Sequence, residues 1–521
     1  MATAGIRRNI MCCHVVNSAC PESAVWSRYR KAAPLGAGHF GEVFKAIEVC
    51  SDREVAVKQL ERLETDGSTD EQCPVEVCTL RALAHPNLLR IYEVVQCCDF
   101  VYIISELAPG GSLSSYLRAH GVGAWIAGGM QQISSAVAYC HRLFVLHGDI
   151  KPENVLISGA RPDGSPLCIV CDFGHATVCV GSAQIAAPGD PRYIPPEAVA
   201  EEGLSPKSDV YMMGVTAFEL LTGGWLPFFG EKAVTLRMSY YQLKIGGVKE
   251  DILSNKGLGW QDLDRLKRGA PQDAQSVVLS MLSRAPADRP TAVEVLRCPW
   301  LSTSTAPCKT AYDALLFADS SAGWGLWSPK HPQFAERLRA RARMSWTCRM
   351  LLAFMGSGLE PQEVHGARLL FRRMDEGGEG TVTRQVFLQA ARRVGLPEED
   401  AQALYVAGDL HDQHFLDFKN VVMLFFDLDE YSHEDLQKQC RSVLNRIRGP
   451  CRTKCVGGEK GSEADEADAT IDMDSLEALL GHRPDARLEH VLKDFRTLLG
   501  PTVKVVTADG LISMLRNDPF K

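Results

Sequence analysis

Hydrophobic and polar positions follow several distinct patterns along the first 300 residues. Residues 43–47 alternate apolar and polar positions, which predicts a half-buried strand. Residues 101–108 form a mostly apolar run, which predicts a buried strand. Two more apolar runs, 143–146 and 155–157, are separated by a polar cluster with a proline at 147–154. Because proline and polar residues interrupt a continuous strand, we predict a loop that is fixed on both sides.

The second half of the chain has a helical pattern with polar connections. Residues 302–333 mix Ser, Thr, Pro and Gly, which is typical of a linker. Arginines alternate with apolar residues over 334–356 and predict a basic amphipathic helix, either bound in a groove or simply packed on a neighbour. Residues 357–430 contain two helix–loop–helix patterns, residues 431–474 a helix and an acidic tether, and residues 475–521 another helix–loop–helix pattern.

Composition narrows the class of protein. A chain of 521 residues predicts two to four domains. The formal charge of −8 is mild for this length and does not predict a nucleic-acid partner. The 18 cysteines are scattered through predicted core segments, and no export signal precedes them, so we expect reduced thiols and a cytoplasmic protein. The apolar stretch 421–426 is too short to span a bilayer.

The polar loop carries residues that suit phosphoryl transfer. Asp149 can accept a hydroxyl proton, Lys151 can neutralise phosphate charge, and Asn154 can hold a magnesium ion. Asp172, in the sequence Asp-Phe-Gly, supplies a second metal-binding carboxylate. The spacing of these four residues therefore predicts a phosphoryl-transfer site.

A glycine-rich segment near the N-terminus supports the same chemistry. Residues 35–43 place three glycines between two predicted strands, where backbone N–H groups can approach phosphates closely. A Rossmann turn would require a helix directly after the glycines, whereas residues 43–47 alternate as a strand does. The sequence Val-Ala-Val-Lys at 55–58 then places a lysine on the next strand.

These motifs resemble the protein kinase family over residues 29–301. Further matches are Pro-Pro-Glu at 195–197, Ala-Asp-Arg-Pro at 287–290 and Lys-Ser-Asp at 207–209, all in the order that the family has. The resemblance implies an α+β, bilobal protein kinase fold after a leader at 1–28, with ATP and Mg²⁺ as cofactors and proteins as substrates.

The resemblance also implies roles for individual residues. Asp149 would take the substrate proton, Lys151 would stabilise the transferring phosphoryl group, and Asn154 and Asp172 would bind Mg²⁺. Lys58, held by Glu76, would set the α- and β-phosphates. The residues expected to bind ATP are Leu35, Gly36, Gly38, Gly41, Val43, Ala56, Lys58, Glu76, Glu106, Ala108 and Leu156.

The resemblance implies roles for four more residues. Glu197 would pair with Arg289 in a buried ion pair, and the Asp209 carboxylate would hold the backbone of the catalytic loop. The small Ser105 would stand at the gatekeeper position and leave an open pocket behind the adenine.

Three positions depart from the family pattern. Gly148 replaces the arginine that usually contacts a phosphate on the activation loop, and residues 176–191 contain only two hydroxyl acceptors, Thr177 and Ser182. We therefore predict a kinase that does not need activation-loop phosphorylation. Asp190 replaces a threonine beside the catalytic loop and predicts less efficient turnover. Ser112 replaces a glutamate, which leaves Glu153 as the contact for a basic substrate residue.

The helical second half resembles EF-hands. The loops 375–386 and 409–420 have EF-hand length, so the whole chain resembles the calcium-dependent protein kinase family. The resemblance implies that the 334–356 helix contacts either the kinase lobe or the EF-hand-like region. The candidate calcium ligands of the first loop are Asp375, Glu379, Thr381 and Thr383.

The ligand count argues for structural rather than calcium-binding loops. The first loop has Gly377 at its third position and Val386 at its twelfth, where calcium needs oxygen. The second loop ends in Asn420 and has His414 in place of the turn glycine. Losing the bidentate acid at position twelve removes two of about seven ligands.

We therefore expect an ATP- and Mg²⁺-dependent serine/threonine protein kinase with an EF-hand-like regulatory region. One alternative is a catalytically weak scaffold, which Asp190 favours. The other is an enzyme that calcium switches on through the first loop.

Overall fold

The computed structural model describes most of the kinase-like region and parts of the second half. The described residues are 16–20, 22–38, 41–61, 83–97, 99–160, 164–178, 189–200, 202–228, 258–303, 334–357, 367, 371, 374–375, 380–393, 396–410, 414–426, 431–448, 471–472 and 505–516.

The N-terminal lobe is built on one six-stranded sheet. Its elements are β1 (Val16–Cys20), α1 (Glu22–Arg28), β2 (Tyr29–Gly38), β3 (Gly41–Glu48), β4 (Glu54–Glu61), β5 (Ile91–Cys97) and β6 (Phe100–Glu106). The strand order is β1-β5-β6-β4-β3-β2, with β1 parallel to β5 and the other neighbours antiparallel. Burial alternates along β3, as its apolar–polar alternation predicts, whereas β5 and β6 are buried almost throughout.

The folded lobe begins before residue 29, where the leader was expected to end. Strand β1 pairs with β5, and α1 buries Val25 completely in the core of the lobe. Arg28 donates two hydrogen bonds to the buried Glu93 carboxylate, at 2.9 and 2.7 Å, and the Tyr29 hydroxyl donates a third at 2.7 Å. Residues 16–20 and 22–28 therefore pack on this sheet, ahead of residue 29, where the predicted kinase domain begins.

The C-terminal lobe is mainly helical. Its elements are α2 (Leu113–His120), α3 (Trp125–Arg142), β7 (Val145–Leu146), β8 (Val155–Ala160), β9 (Pro166–Val170), β10 (Thr177–Val178), α4 (Pro196–Val199), α5 (Pro206–Thr222), α6 (Trp260–Gly269), α7 (Gln272–Met281), α8 (Ala292–Leu296) and α9 (Pro299–Thr303). Helix α5 is apolar on all sides and is buried from Ser208 to Leu221, so it forms the centre of the lobe. It provides the rigid base on which the polar loop at 147–154 rests.

The second half forms a helical module with its own core. Its described elements are α10 (Phe334–Arg343), α11 (Trp346–Ser357), β11 (Val382–Thr383), α12 (Arg384–Arg393), α13 (Glu398–Gly408), β12 (Phe415–Leu416), α14 (Phe418–Phe425), α15 (His433–Arg448), β13 (Ile471–Asp472), β14 (Val505–Val506) and α16 (Ala508–Arg516). The short ribbons β11–β12 and β13–β14 are both antiparallel. The linker residues 304–333 and most of the acidic tether lie outside the described residues.

The basic helix expected at 334–356 is two helices, α10 and α11. They are separated at Met344 and Ser345, where the Ser345 hydroxyl accepts the Cys348 N–H at 3.2 Å and starts the second helix. Leu338 and Leu352 are buried in the core of the C-terminal module. The apolar sides of both helices therefore pack inside this module.

The arrangement of a sheet-based lobe, a helical lobe and further helices confirms the predicted α+β class. None of the described helices combines the length and the hydropathy that a bilayer span requires. Cys140 and Cys440, both buried, carry free thiols.

Candidate active site

The polar loop at 147–154 is held between β7 and β8, as the interrupted apolar run predicts. The buried carboxylate of Asp209 on α5 supports this loop and accepts three hydrogen bonds. The backbone N–H groups of His147 and Gly148 donate two of these at 2.9 Å, and His141 Nε2 lies 2.8 Å from the same carboxylate. Burial opposes the charged form of Asp209, yet the contacts with His141 and His147 lower its pKa. A charged anchor inside the lobe therefore fixes the loop.

Asp149 lies at the centre of the loop with both carboxylate oxygens engaged. The residue is 3% exposed. Its Oδ1 accepts the Asp190 N–H at 2.8 Å, and its Oδ2 lies 2.7 Å from both Lys151 Nζ and Asn154 Nδ2. Burial opposes the charged form of Lys151, but Asp149 outweighs burial and raises the pKa of the lysine. The acid, lysine and amide that the motif predicts are thus in direct contact.

His147 is a buried, neutral part of the same loop. Its Nε2 lies 3.0 Å from the Cys171 carbonyl oxygen, and its Nδ1 accepts the Asp149 N–H at 3.2 Å. A carbonyl needs a donor and an N–H needs an acceptor, so the imidazole carries its proton on Nε2. Burial, opposed by Asp209 and Asp149, lowers the pKa of His147. The ring also packs against Phe173, with centroids 4.6 Å apart.

Gly148 has a backbone conformation that favours glycine. Its φ is +78°, and a Cβ placed there would lie 2.7 Å from the His175 carbonyl oxygen. At this position, where the family usually has arginine, the backbone therefore lies too close to the His175 carbonyl oxygen for a side chain. Thr177 lies in β10, which pairs with β7, whereas Ser182 falls outside the described residues.

Asp172 faces Lys58 across the interlobe cleft. Asp172 Oδ1 lies 2.9 Å from Lys58 Nζ, and the aspartate has a left-handed φ of +66°. Burial opposes the charged form of Asp172, but Lys58 lowers its pKa. Glu76, the expected partner of Lys58, lies outside the described residues.

The expected ATP-binding residues line strands on both sides of the cleft. The hairpin of β2 and β3 pairs Gly36 with Val43 and Gly38 with Gly41. A Cβ at Gly41, where φ is +137°, would overlap the Gln59 carbonyl oxygen, so this position needs glycine.

The rest of the expected adenine pocket follows the strand register. Val43 pairs with Lys58, Ala56 pairs with Ser105, and Leu156 lies on β8 in the opposite lobe. Leu35 lies half exposed on β2, and Ala108 lies two residues after the end of β6. Glu106 ends β6 with its side chain buried, where it accepts the Arg90 N–H at 2.9 Å. The hinge is thus fixed by a carboxylate of its own.

The oxygen atoms at the mouth of the cleft fit a magnesium ion. Asn154 uses Nδ2 for both of its bonds to Asp149, to the backbone oxygen at 2.9 Å and to the carboxylate at 2.7 Å. Its Oδ1 therefore remains as an acceptor, and Asp172 has a second carboxylate oxygen besides the one that contacts Lys58. Amide and carboxylate oxygens are the ligands that Mg²⁺ prefers.

The charge of Asp190 is balanced by a residue that the sequence pattern did not single out. Arg192 Nε and Nη2 lie 3.0 and 2.6 Å from the two Asp190 carboxylate oxygens. Lys151 Nζ lies 3.5 Å from the same carboxylate. Burial opposes the charged form of Asp190, but Arg192 and Lys151 lower its pKa. An acid and a base two residues apart across a proline are the only sequence signal for this pair.

Glu197 and Arg289 form the predicted ion pair. Both guanidinium nitrogens lie 2.7 Å from the Glu197 carboxylate, and the arginine side chain is fully buried. Arg289 also donates to three backbone carbonyl oxygens, those of Ser283, Lys207 and Arg284. The pair ties α4 to the turn after α7. His141, by contrast, contacts the Asp209 carboxylate, and no motif indicated this contact.

The described parts of the two predicted EF-hand-like loops match each other in geometry. Asp375 Oδ2 accepts the Gly380 N–H at 2.7 Å, and Asp409 Oδ2 accepts the His414 N–H at 2.8 Å. Gly380 and His414 both have left-handed φ values, +71° and +64°. Val382 in β11 then pairs with Leu416 in β12, at the eighth position of each loop.

Several calcium ligands expected from the sequence are engaged elsewhere or lie outside the described residues. In the second loop Asp417 and Asn420 accept each other's backbone N–H groups at 2.9 Å, a capping box that starts α14. In the first loop Thr381 is buried, Thr383 lies in β11, and Glu379 lies outside the described residues. Among the described residues no cluster of three or more His, Cys, Asp or Glu side chains is arranged to hold a metal.

The ribbon β11–β12 lies against the kinase lobe. A Cβ at Gly380 would come within 2.6 Å of both His85 and Tyr139, so the Gly380 backbone lies directly on these two side chains. Phe415 packs on the core of the C-terminal lobe, with the Arg142 guanidinium 5.6 Å from its ring centre. The Tyr139 hydroxyl in turn accepts the Ala84 N–H at 3.1 Å.

Comparison with known proteins agrees with these features. The protein kinase domain model matches residues 29–301. Calcium-dependent protein kinase 24 of rice (Oryza sativa subsp. japonica) is 29% identical over 74% of this chain and 69% of its own length. Calcium-dependent protein kinase 9 of rice is 26% identical over 92% of this chain and 75% of its own length. The serine/threonine-protein kinase PrkC of Bacillus subtilis (strain 168) is 31% identical over 55% and 41%, respectively. The chain therefore belongs to the protein kinase domain family, which confirms the prediction of a serine/threonine protein kinase.

Proposed function

We propose that the protein transfers the γ-phosphate of ATP to serine and threonine hydroxyls of proteins through Asp149. The observation that carries this proposal is the contact set of that carboxylate, with Lys151 and Asn154 both at 2.7 Å. Catalysis of this kind consists mainly of positioning and charge stabilisation, so a rigidly held set of charged groups is what it needs.

Each residue of the set has a distinct role in this proposal. Asp149 orients the substrate hydroxyl and accepts its proton. Lys151, which its aspartate neighbours keep protonated, places a positive charge beside the transferring phosphoryl group. Lys58 holds the α- and β-phosphates from the opposite side of the cleft. The glycines of the β2–β3 hairpin bring backbone N–H groups near the phosphates.

ATP and Mg²⁺ are the cofactors of this proposal. The side-chain oxygen of Asn154 and the carboxylate of Asp172 would hold the metal, which neutralises phosphate charge when it is bound. Val43, Ala56 and Leu156 would contact the faces of the adenine, and the backbone of Glu106 and Ala108 would hydrogen-bond to its edge.

A comparison of wild type with Asp149→Asn tests the catalytic role. The substitution keeps the size of the side chain but removes its capacity to accept a proton, and we expect phosphoryl transfer to fall about 100-fold or more. Asp264→Asn on the exposed surface of α6 is the matched control and should retain wild-type activity. Equal transfer by wild type and Asp149→Asn would contradict the proposal.

Activity without activation-loop phosphorylation is a second part of the proposal. It is supported by Gly148, which lacks a cationic side chain for a phosphate, and by the position of Thr177 in a paired strand. Protein from a bacterial host, treated with phosphatase, should keep its activity. A change of about tenfold on replacing Thr177 and Ser182 by alanine would refute this part.

We further propose that the C-terminal module regulates the kinase through the contact of the ribbon β11–β12 with the lobe. The support is its location, because His85 and Tyr139 flank the backbone of Ala84, which lies two residues after the segment 62–82. Residues 62–82 include Glu76, the expected partner of Lys58. A displaced ribbon would therefore change the packing around His85 and Ala84, which follow Glu76 in the chain.

Gly380→Val tests this contact, since its side chain would overlap His85 and Tyr139. We expect a change in kinase activity without loss of the kinase lobe's thermal transition. Glu399→Val, at an exposed position of α13, is the control for an added apolar side chain. Titration of calcium into the same assay distinguishes the alternative. A rise in activity that Asp375→Ala abolishes would show that calcium operates the contact.

A further inference from the structure

Three carboxylates lie in a pocket next to the catalytic loop. Glu153 belongs to the loop itself, Asp190 donates its backbone N–H to Asp149, and Glu219 is buried on α5. Burial and the nearby Glu153 charge raise the pKa of Glu219 to about 7. In an enzyme that acts on proteins, such a pocket attracts a basic side chain of the substrate.

Arg192 of the chain itself occupies this pocket. Its backbone N–H, Nε and Nη2 all bond to the Asp190 carboxylate, at 3.0, 3.0 and 2.6 Å. Its Nη2 also lies 3.7 Å from Glu153 Oε1. Below the guanidinium, the Tyr193 ring centre is 5.6 Å away, and the Tyr193 hydroxyl donates to Glu219. The guanidinium therefore bridges the loop carboxylate and the Asp190 carboxylate.

The arginine is held in place before any substrate arrives. A planar guanidinium with two bonds to one carboxylate has lost most of its rotational freedom, so it binds Glu153 with little further entropic cost. A basic substrate residue would have to displace this tethered group or approach its positive charge, and both are unfavourable.

We propose that Arg192 is a specificity-determining residue, which closes the pocket at Glu153 to basic side chains and directs the enzyme to substrates with a neutral residue at that position. This inference rests on the proposed kinase activity. It replaces the expectation that Glu153 receives a basic substrate residue.

Peptides with a single serine test this inference. In each peptide one position within four residues of the serine carries either Ala or Arg, and the ratio of kcat/KM for Arg over Ala is measured. We expect wild type to show a ratio of about 1 or lower at every position. Arg192→Ala should raise the ratio about tenfold at one position, because the Glu153 carboxylate then gains a charged partner from the peptide.

Further variants assign the effect to the pocket. Arg192→Ala combined with Glu153→Gln should return the ratio to the wild-type value, and Arg192→Lys should keep it there. Arg268→Ala, on the exposed surface of α6, is the matched control and should change nothing. If Arg192→Ala unfolds because Asp190 loses its partner, Asp190→Asn with Arg192→Ala removes both charges and serves in its place.

Two results would overturn the inference. One is a wild-type preference of about tenfold or more for Arg at some position that Arg192→Ala does not increase. The other is a change in kcat/KM on Arg192→Ala that is equal for the Ala and the Arg peptides at every position. Calorimetric binding of the Ala and Arg peptides to each protein gives the same ratio without catalysis. A wild type that transfers no phosphate but binds both peptides equally, and gains preference for Arg in Arg192→Ala, separates a failed kinase proposal from a failed specificity proposal.

Discussion

Replacing Asp209 by asparagine removes the buried charge that holds the catalytic loop. The carboxylate now accepts the N–H groups of His147 and Gly148, both at 2.9 Å, and contacts His141 at 2.8 Å. An amide has one acceptor oxygen, so one buried backbone N–H loses its partner, which costs about 1–3 kcal/mol. The neutral amide oxygen is also a weaker acceptor than a carboxylate, which adds about 1 kcal/mol to the loss of stability. We therefore expect the free energy of unfolding to fall by roughly 2–4 kcal/mol.

The same substitution should reduce catalysis through the position of the loop. We expect kcat to fall about tenfold or more, because a small displacement of reacting groups is costly. The KM for ATP should change little, since most of its expected contacts lie in the other lobe. Urea denaturation and steady-state kinetics measure both effects, with the exposed Asp264→Asn as the control. Surface substitutions typically change the free energy of unfolding by less than about 0.5 kcal/mol. A loss of that size together with an unchanged kcat would refute the reasoning.

The pH dependence of stability gives an independent check on Asp209. Its folded-state pKa is lowered below the ordinary value of 3.8. A lowered pKa means that the charged carboxylate stabilises the fold above the unfolded pKa and that this stability is lost as pH falls through the folded pKa. Denaturation below pH 4 should therefore weaken wild type more steeply than Asp209→Asn.

Three more predictions follow from other contacts. Arg289→Met should destabilise the lobe by about 3–5 kcal/mol in urea denaturation, because it leaves the buried Glu197 charge unpaired. Adding Glu197→Gln to this variant should restore part of the lost stability. An equal loss in the single and the double variant would argue against the ion pair. The lowered pKa of His147 means that the unfolded state binds the proton first, so stability should fall as the pH drops below 6.5, and less so in His147→Gln; identical pH profiles would be contrary evidence. Gly148→Ala should lower the free energy of unfolding by about 1–3 kcal/mol and should also lower kcat, because Gly148 has a positive φ and lies close to the His175 carbonyl oxygen. A melting temperature equal to that of wild type would contradict this expectation.

The catalytic loop was predictable because its chemistry is local in sequence. Asp149, Lys151 and Asn154 lie within six residues, and their contacts follow from one loop conformation. The ion pair of Glu197 and Arg289 was also indicated, but only through the family resemblance, since 92 residues separate its members.

Arg192 was not predicted because its role depends on side-chain geometry. From sequence, Asp190 was expected beside the catalytic loop and to make turnover less efficient, whereas the structure pairs it with the guanidinium two residues later. Such a balance requires the two side chains to turn to the same side of the chain, which a spacing of two does not determine.

The start of the folded lobe was missed for a related reason. Strand β1 is short and pairs in parallel with β5, a strand some 75 residues further along the chain, and α1 buries Val25 in the core while Arg28 contacts Glu93. Short edge elements depend on such distant partners more than on their own pattern. The break between α10 and α11 similarly depends on one serine hydroxyl.

The stoichiometry of a single turnover tests the central claim most directly. Wild type, ATP, Mg²⁺ and a serine peptide are mixed, and ADP and phosphopeptide are quantified together. The proposed transfer predicts equal amounts of ADP and phosphoserine, and the loss of both in Asp149→Asn. ADP without phosphopeptide, or equal yields from wild type and Asp149→Asn, would contradict it.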